Sequence, residues 1–138
     1  MGKRFWLTIL ICVTLVLVDA YASTYSIPPA AVDVQKVYFG KPDAFSRAGE
    51  VDYEALIKAS PEYSQLKKEK VEKGSGRYWI LLSQASDRAV RAISTIGKES
   101  DYDLITAAGY LGGLSPAIPA ENITDRVVAK ITGKEIKK

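Results

Sequence analysis

Any chemistry this chain performs is done without histidine, which occurs nowhere in its 138 residues, and with a single cysteine, Cys12. The usual general base, the common zinc ligands and, beyond Cys12, the thiol nucleophile are missing, and Ser–His–Asp and Cys–His catalysis are excluded. Carboxylates remain. Asp101 and Asp103 fall on one side of the chain if the backbone between them is an extended strand, where two carboxylates can hold a hard cation or share a proton. A solvated strand end explains the pair more simply, so no catalytic and no metal-ligating residue is assigned. Gly74-Ser75-Gly76 and Gly109-Tyr110-Leu111-Gly112-Gly113 have neither the strand–loop–helix setting nor the lysine of a phosphate loop, and they read as turns. Asn122-Ile123-Thr124 is formally a glycosylation acceptor, but Thr124 serves better as a helix cap. No cofactor is expected.

Binding chemistry is more visible than catalysis. Lys67, Lys68, Lys70 and Lys73, with Arg77 and then Arg88 and Arg91, form a basic cluster able to steer an acidic client or to touch anionic headgroups at a membrane surface. Glu62, Glu69 and Glu72 dilute it toward an ordinary solvated helix face. The net charge of +3 is too small to argue for nucleic acid. Tyr78-Trp79-Ile80-Leu81-Leu82 is the sharper signal, because five successive apolar residues on a helix point around more than one face and some need a second partner. That partner is either another protomer or the N-terminal lead-in, in which case the segment is buried. Otherwise it is a client, and the segment is a gripping patch, since contiguous exposed apolar surface marks binding sites.

The elements that position these residues follow from periodicity and punctuation. Lys3 and Arg4, the apolar run Phe5 to Val18 and the small-x-small pattern Ala20-Tyr21-Ala22 make residues 1–22 an expected export signal, cut near Ser23. The run is about fourteen residues, short of the roughly twenty a membrane-crossing helix needs. Cleavage removes Cys12, so the exported domain forms no disulfide and depends on packing or self-assembly. Residues 23–50 read as an extended lead-in broken by Pro28-Pro29 and Gly40-Lys41-Pro42, in which 32–38 is either a strand, the preferred reading, or a turn of helix. Asp52 can cap a helix through Lys58, and Ser60-Pro61-Glu62 opens a second that runs from Tyr63 to Lys73 and stops at Gly74-Ser75-Gly76. Arg77 to Lys98 then carries Trp79, Leu82, Ala85, Ala89, Ile93 and Ile96 at helical spacing, which completes a helical hairpin. Its arms would be roughly 20 Å and 33 Å long at 1.5 Å per residue. Residues 102–106 read as a strand, Tyr110-Leu111 as a short second one, and a closing helix runs from Asp125 to Ile131, capped by Thr124 and ended by Gly133. The tail 134–138 is expected to fray. The fold class is therefore α+β: a helical hairpin projecting from a small sheet, with a C-terminal helix.

This order of parts resembles the Skp/OmpH family of periplasmic chaperones. The segment from Val51 through Ser60-Pro61-Glu62-Tyr63 looks like the family's opening, Tyr102-Asp103-Leu104-Ile105 like its strand after the hairpin, and Asn122-Ile123-Thr124-Asp125-Arg126-Val127 like the start of its closing helix. The resemblance spans most of residues 51–133. It implies a periplasmic holdase that binds unfolded or partly folded outer-membrane or envelope proteins without ATP, and a trimer whose hairpins surround the client. Two departures accompany it. The hairpin here is much shorter than the family's. Ser46-Arg47-Ala48-Gly49-Glu50 is a poor match to the family's apolar first strand, so either the Val32 segment takes that place or the strand is missing. The alternative from a different class is a non-enzymatic structural or adaptor subunit that binds one folded envelope partner.

Overall fold

One of the two inner strands of the sheet is built from residues that look least suited to it. Ala48–Val51 forms strand β2, which pairs in parallel with β3 (Leu104–Ala107) on one side and with the short β4 (Glu121–Asn122) on the other. The expectation that 46–50 makes a poor strand is thereby corrected. Strand propensity reflects neighbours more than the backbone itself, and here the small residues are a packing requirement. A Cβ at Gly49 would stand 2.9 Å from the Ile123 side chain. These relations come from a computed structural model that describes residues 23–134; the expected export signal at 1–22 and the tail beyond Lys134 lie outside the described residues.

β1 (Val37–Gly40) completes the sheet in the order β1-β3-β2-β4, antiparallel to β3 with a bulge between Val37 and Phe39. The Val32 segment thus joins the sheet, but only through its end. Asp33 organises the residues that follow it into a turn: its carboxylate accepts from the Gln35 amide at 3.0 Å, and its carbonyl accepts from the Lys36 amide at 3.0 Å. A side chain that bonds its own backbone in this way competes with the ladder and delays the strand. The expected strand at Tyr110-Leu111 is likewise replaced by a 3-10 turn, Leu111–Gly113. The Tyr110 hydroxyl donates to the Ala31 carbonyl at 2.6 Å and accepts from the Asp33 amide at 2.9 Å, which ties this loop to the lead-in.

The described residues form four α-helices: α1 (Tyr53–Ala59), α2 (Pro61–Lys68), α3 (Gly76–Glu99) and α4 (Thr124–Thr132). Asp52 caps α1 by accepting from the Ala55 amide, and Ser60 caps α2 by accepting from the Tyr63 amide, as their residue types dictate. α2 is shorter than its charge pattern suggests. It ends at Lys68, and Lys70, whose φ is +49°, closes it, with the Val71 amide reaching back to the Leu66 carbonyl in a Schellman-type closure. Ser75 then caps α3. Thr124 is the first residue of α4 and not its cap. Its hydroxyl accepts from the Asp52 amide at 3.0 Å and so joins the starts of α1 and α4, while Asn122 accepts from the Thr124 amide.

Alternation along the strands divides the apolar residues between two faces. Val51 and Ile105 face α1, α3 and α4 in a cluster with Leu56, Ala89, Ile93, Ile96, Ile123 and Val127. Ala48 and Leu104 face the other way, where Ile27, Phe45, Leu111 and Ile118 bring the lead-in and the 108–120 loop onto the sheet. The α+β class holds, but the hairpin is anchored for much of its length. From Ala89 onward α3 lies on the sheet, so closely at Gly97 that a Cβ there would come within 2.6 Å of the Phe39 ring. Only α2 and the first half of α3, roughly 20 Å of helix at 1.5 Å per residue, stand clear of it.

Asp101 and Asp103 do not form a carboxylate pair on a strand. Asp101 sits in a turn with φ +58°, and β3 begins only at Leu104. The Asp103 carboxylate accepts from the Ser46 hydroxyl at 2.6 Å and from the amides of Ser46 and Arg47, bonds that hold its pKa below the usual aspartate value. It is a structural clamp between β3 and the entry to β2.

Candidate client-binding tip

The two arms of the hairpin are fastened by two arginine–carboxylate forks, one at its base and one at its tip. Arg88 on α3 grips Glu62 at the start of α2 with contacts of 2.6, 2.9 and 3.0 Å. Eleven residues earlier on the same face, Arg77 grips Glu69 just beyond α2, and Gln65 donates to the same carboxylate at 2.8 Å. Leu81 falls between the two arginines at helical spacing and therefore faces α2. It is buried, as is Leu66 on α2.

This anchoring sets the rotation of α3 and corrects the expected apolar stripe. The buried face runs through Leu81, Ala85, Ala89, Ala92, Ile93 and Ile96, so Trp79 and Leu82 are not on it. Trp79 is 61% exposed and Ile80 59% exposed, Tyr78 and Leu82 are half-buried, and the Tyr78 and Trp79 rings meet edge to face at 5.3 Å. Within one subunit, burial against the lead-in is thus not what accounts for Trp79 and Ile80. Of the five-residue patch, Leu81 alone is buried.

The lysines separate from the arginine read with them. Lys67, Lys68, Lys70 and Lys73 are exposed, and among the described residues none of them forms a salt bridge; Lys67 lies 5.4 Å from the Tyr63 ring centre. Arg77 is spent on Glu69 and so is a fastener, not a steering charge. The tip therefore combines unpaired positive charge with exposed indole and isoleucyl surface within one turn of the connecting loop.

Two recesses went unseen in the sequence because distant segments build them. An open groove of about 540 Å³ between α3 and α4 carries Arg88, Arg91 and Lys130 against Glu62 and Asp87, over a floor of Ala92 and Ile131. A smaller cleft of about 250 Å³ lies between Tyr25, Pro28 and Ala31 of the lead-in and Leu114, Pro116 and Ile118. Their charges are mixed in the first and absent in the second. Among the described residues, no three of His, Cys, Asp or Glu are grouped to hold a metal ion, and no helix is long and apolar enough to cross a membrane.

The forks make the tip acid-sensitive. Hydrogen bonds from Arg88 hold the Glu62 carboxyl below the ordinary glutamate range, and Glu69 is held down by Gln65 and then Arg77. A carboxyl with a depressed pKa in the folded state stabilises fully above its unfolded value of about 4.3 and loses that contribution as pH falls through the folded value. Amide exchange in α2 is accordingly expected to accelerate below about pH 4 before exchange in α3 beyond Ala89 does. Simultaneous loss of both would show that the forks do not hold α2.

No family model, curated protein or solved structure matches this chain.

Proposed function

We propose that this chain is a Skp/OmpH-like periplasmic holdase that binds unfolded envelope proteins without ATP. The observation that carries the reading is the exposure of Trp79 and Ile80 near the free end of the hairpin, whose lysines form no salt bridge among the described residues. Apolar surface that the subunit leaves open, with cations around it, suits a partner that is greasy in segments and acidic overall. The order of strand, hairpin, strand and closing helix supports the same reading, as does the resemblance of residues 51–133. A self-associated form, a trimer by that resemblance, would gather several short tips around one client, and a short arm would clasp a segment where a long one encloses a chain. The lysines also allow peripheral contact with a membrane surface.

The test is the mass of the protein in solution with and without an unfolded barrel substrate, together with its ability to keep several unrelated outer-membrane proteins from aggregating. A stoichiometric complex and protection of all of them are expected. A compact monomer indifferent to substrate would remove the holdase reading, and a single stoichiometric folded partner would replace it with the adaptor.

A further inference from the structure

Three of the four large apolar side chains left exposed among the described residues, Trp79, Ile80 and Val90, lie on α3. Trp79 and Val90 belong to one line: at 3.6 residues per turn, Trp79, Ser83, Ser86 and Val90 follow one another along a single stripe. The stripe faces away from α2, which packs on the Leu81 side, and it carries no charge over three turns. Beyond Val90 it runs under Phe39 at Gly97, so its open part begins at the tip and ends where the sheet starts. Large side chains stand at its two ends and serines between them, Ser86 being held 2.5 Å from the Tyr53 hydroxyl. Charge is divided as unevenly as size. Residues 67–80 hold five Lys or Arg and two Glu, a net +3, whereas the rest of residues 23–134 holds ten Lys or Arg and twelve Asp or Glu, a net −2. The molecule is positive at its tip and negative in its body.

We propose that two copies of the chain pair through this stripe, α3 antiparallel to α3, about a two-fold axis that passes beside Ser83. In that register the Trp79 indole of each copy enters the hole between Ser83, Ser86, Asp87 and Val90 of the other, the four-residue setting in which a knob packs. Val90 then meets Ser75 and Gly76, and Ser83 meets its own counterpart where the helices cross. Large meets small along the whole line, and each contact is made twice, as an isologous interface requires. A covered indole N–H needs an acceptor. Asp87, which forms no salt bridge among the described residues, stands at the rim of the hole. The antiparallel order also sets each positive tip beside the other copy's negative body, where a parallel order would set tip against tip. About four turns of helix on each side bury on the order of 1,000 Å² in total, the lower end for specific association, so the pair is weak and reversible. It covers Trp79 while no client is present, and it does not depend on the holdase reading.

The experiment follows the mass of the whole chain against concentration by sedimentation equilibrium. The mass is expected to double between about 1 and 300 μM, and the pair to weaken as salt is raised. Val90→Lys puts a charge on the stripe and touches neither Trp79 nor Ile80. It is expected to weaken pairing at least ten-fold, while capture of an unfolded barrel substrate by dilute protein stays as in the parent. In a Cys12→Ser background, Ser83→Cys is expected to give a disulfide-linked pair under mild oxidation, and Gln84→Cys, one residue further round the helix, is not. A mass that does not change with concentration, a Val90→Lys variant that pairs as tightly as the parent, or equal cross-linking at 83 and 84 would each overturn the pair. If the mass and cross-linking results hold but no unfolded substrate binds, the holdase reading falls and the pair stands.

Discussion

Gly40→Ala is expected to lower the melting temperature by about 10 °C or more and to cost roughly 3–5 kcal/mol, a large part of the 5–15 kcal/mol that typically holds a domain together. Gly40 ends β1 at φ +87°, a conformation that costs an L-residue about 1–2 kcal/mol. The greater part of the loss is steric. A Cβ there would fall on the Asp103 carbonyl, with the Leu104 Cα close behind. Neither atom can retreat, because the Asp103 amide donates to the Arg47 carbonyl at 2.9 Å while its side chain is pinned by Ser46 and Arg47. Overpacking against a locked backbone costs about 1–3 kcal/mol or more. Gly74→Ala is the matched control. Its φ is +89°, but a Cβ there meets nothing within 4 Å, so it should cost only the conformational part, about 1 kcal/mol. Urea titration of the two variants separates the steric cost from the conformational one, and equal losses would show that the β1–β3 contact is not tight.

The contrast between these glycines shows what kind of information a sequence carries. Asp52, Ser60 and Pro61 announce their helices because capping is local: each capping side chain satisfies an amide three residues away. The α3 pattern is legible for the same reason, since its spacing repeats over 24 residues. β2 is not legible, because Ala48-Gly49-Glu50-Val51 becomes a strand only through β3 and β4, which lie more than fifty residues along the chain. Asp33 and Tyr110 mislead in a related way: their hydrogen bonds to each other's segments cancel strands that composition favours. The five apolar residues at 78–82 stand out in the sequence, but their division does not. Trp79 and Leu81 are equally apolar, and what buries one and exposes the other is the side on which Arg77 and Arg88 fasten α2.

That division makes the tip separable from the fold. Trp79→Ser with Ile80→Ser is expected to weaken capture of an unfolded barrel substrate at least ten-fold, which corresponds to about 1.4 kcal/mol, while leaving the melting temperature nearly unchanged. Both side chains are more than half exposed, and surface substitutions away from packed features usually stay within about 0.5 kcal/mol. The loss on binding is larger because covering a tryptophan or isoleucine side chain with client is worth about 1.5–3 kcal/mol each when burial is complete. Leu81→Ser, two residues from Trp79, behaves oppositely: it leaves a void and an unpaired hydroxyl under α2 and should cost about 2–4 kcal/mol of stability. Measuring client binding, unfolding and mass on the same samples assigns the surface. Lost capture with the assembly intact marks a gripping patch. If the double serine variant still captures client but comes apart into monomers, Trp79 and Ile80 are the contact between subunits, and the client must be held elsewhere.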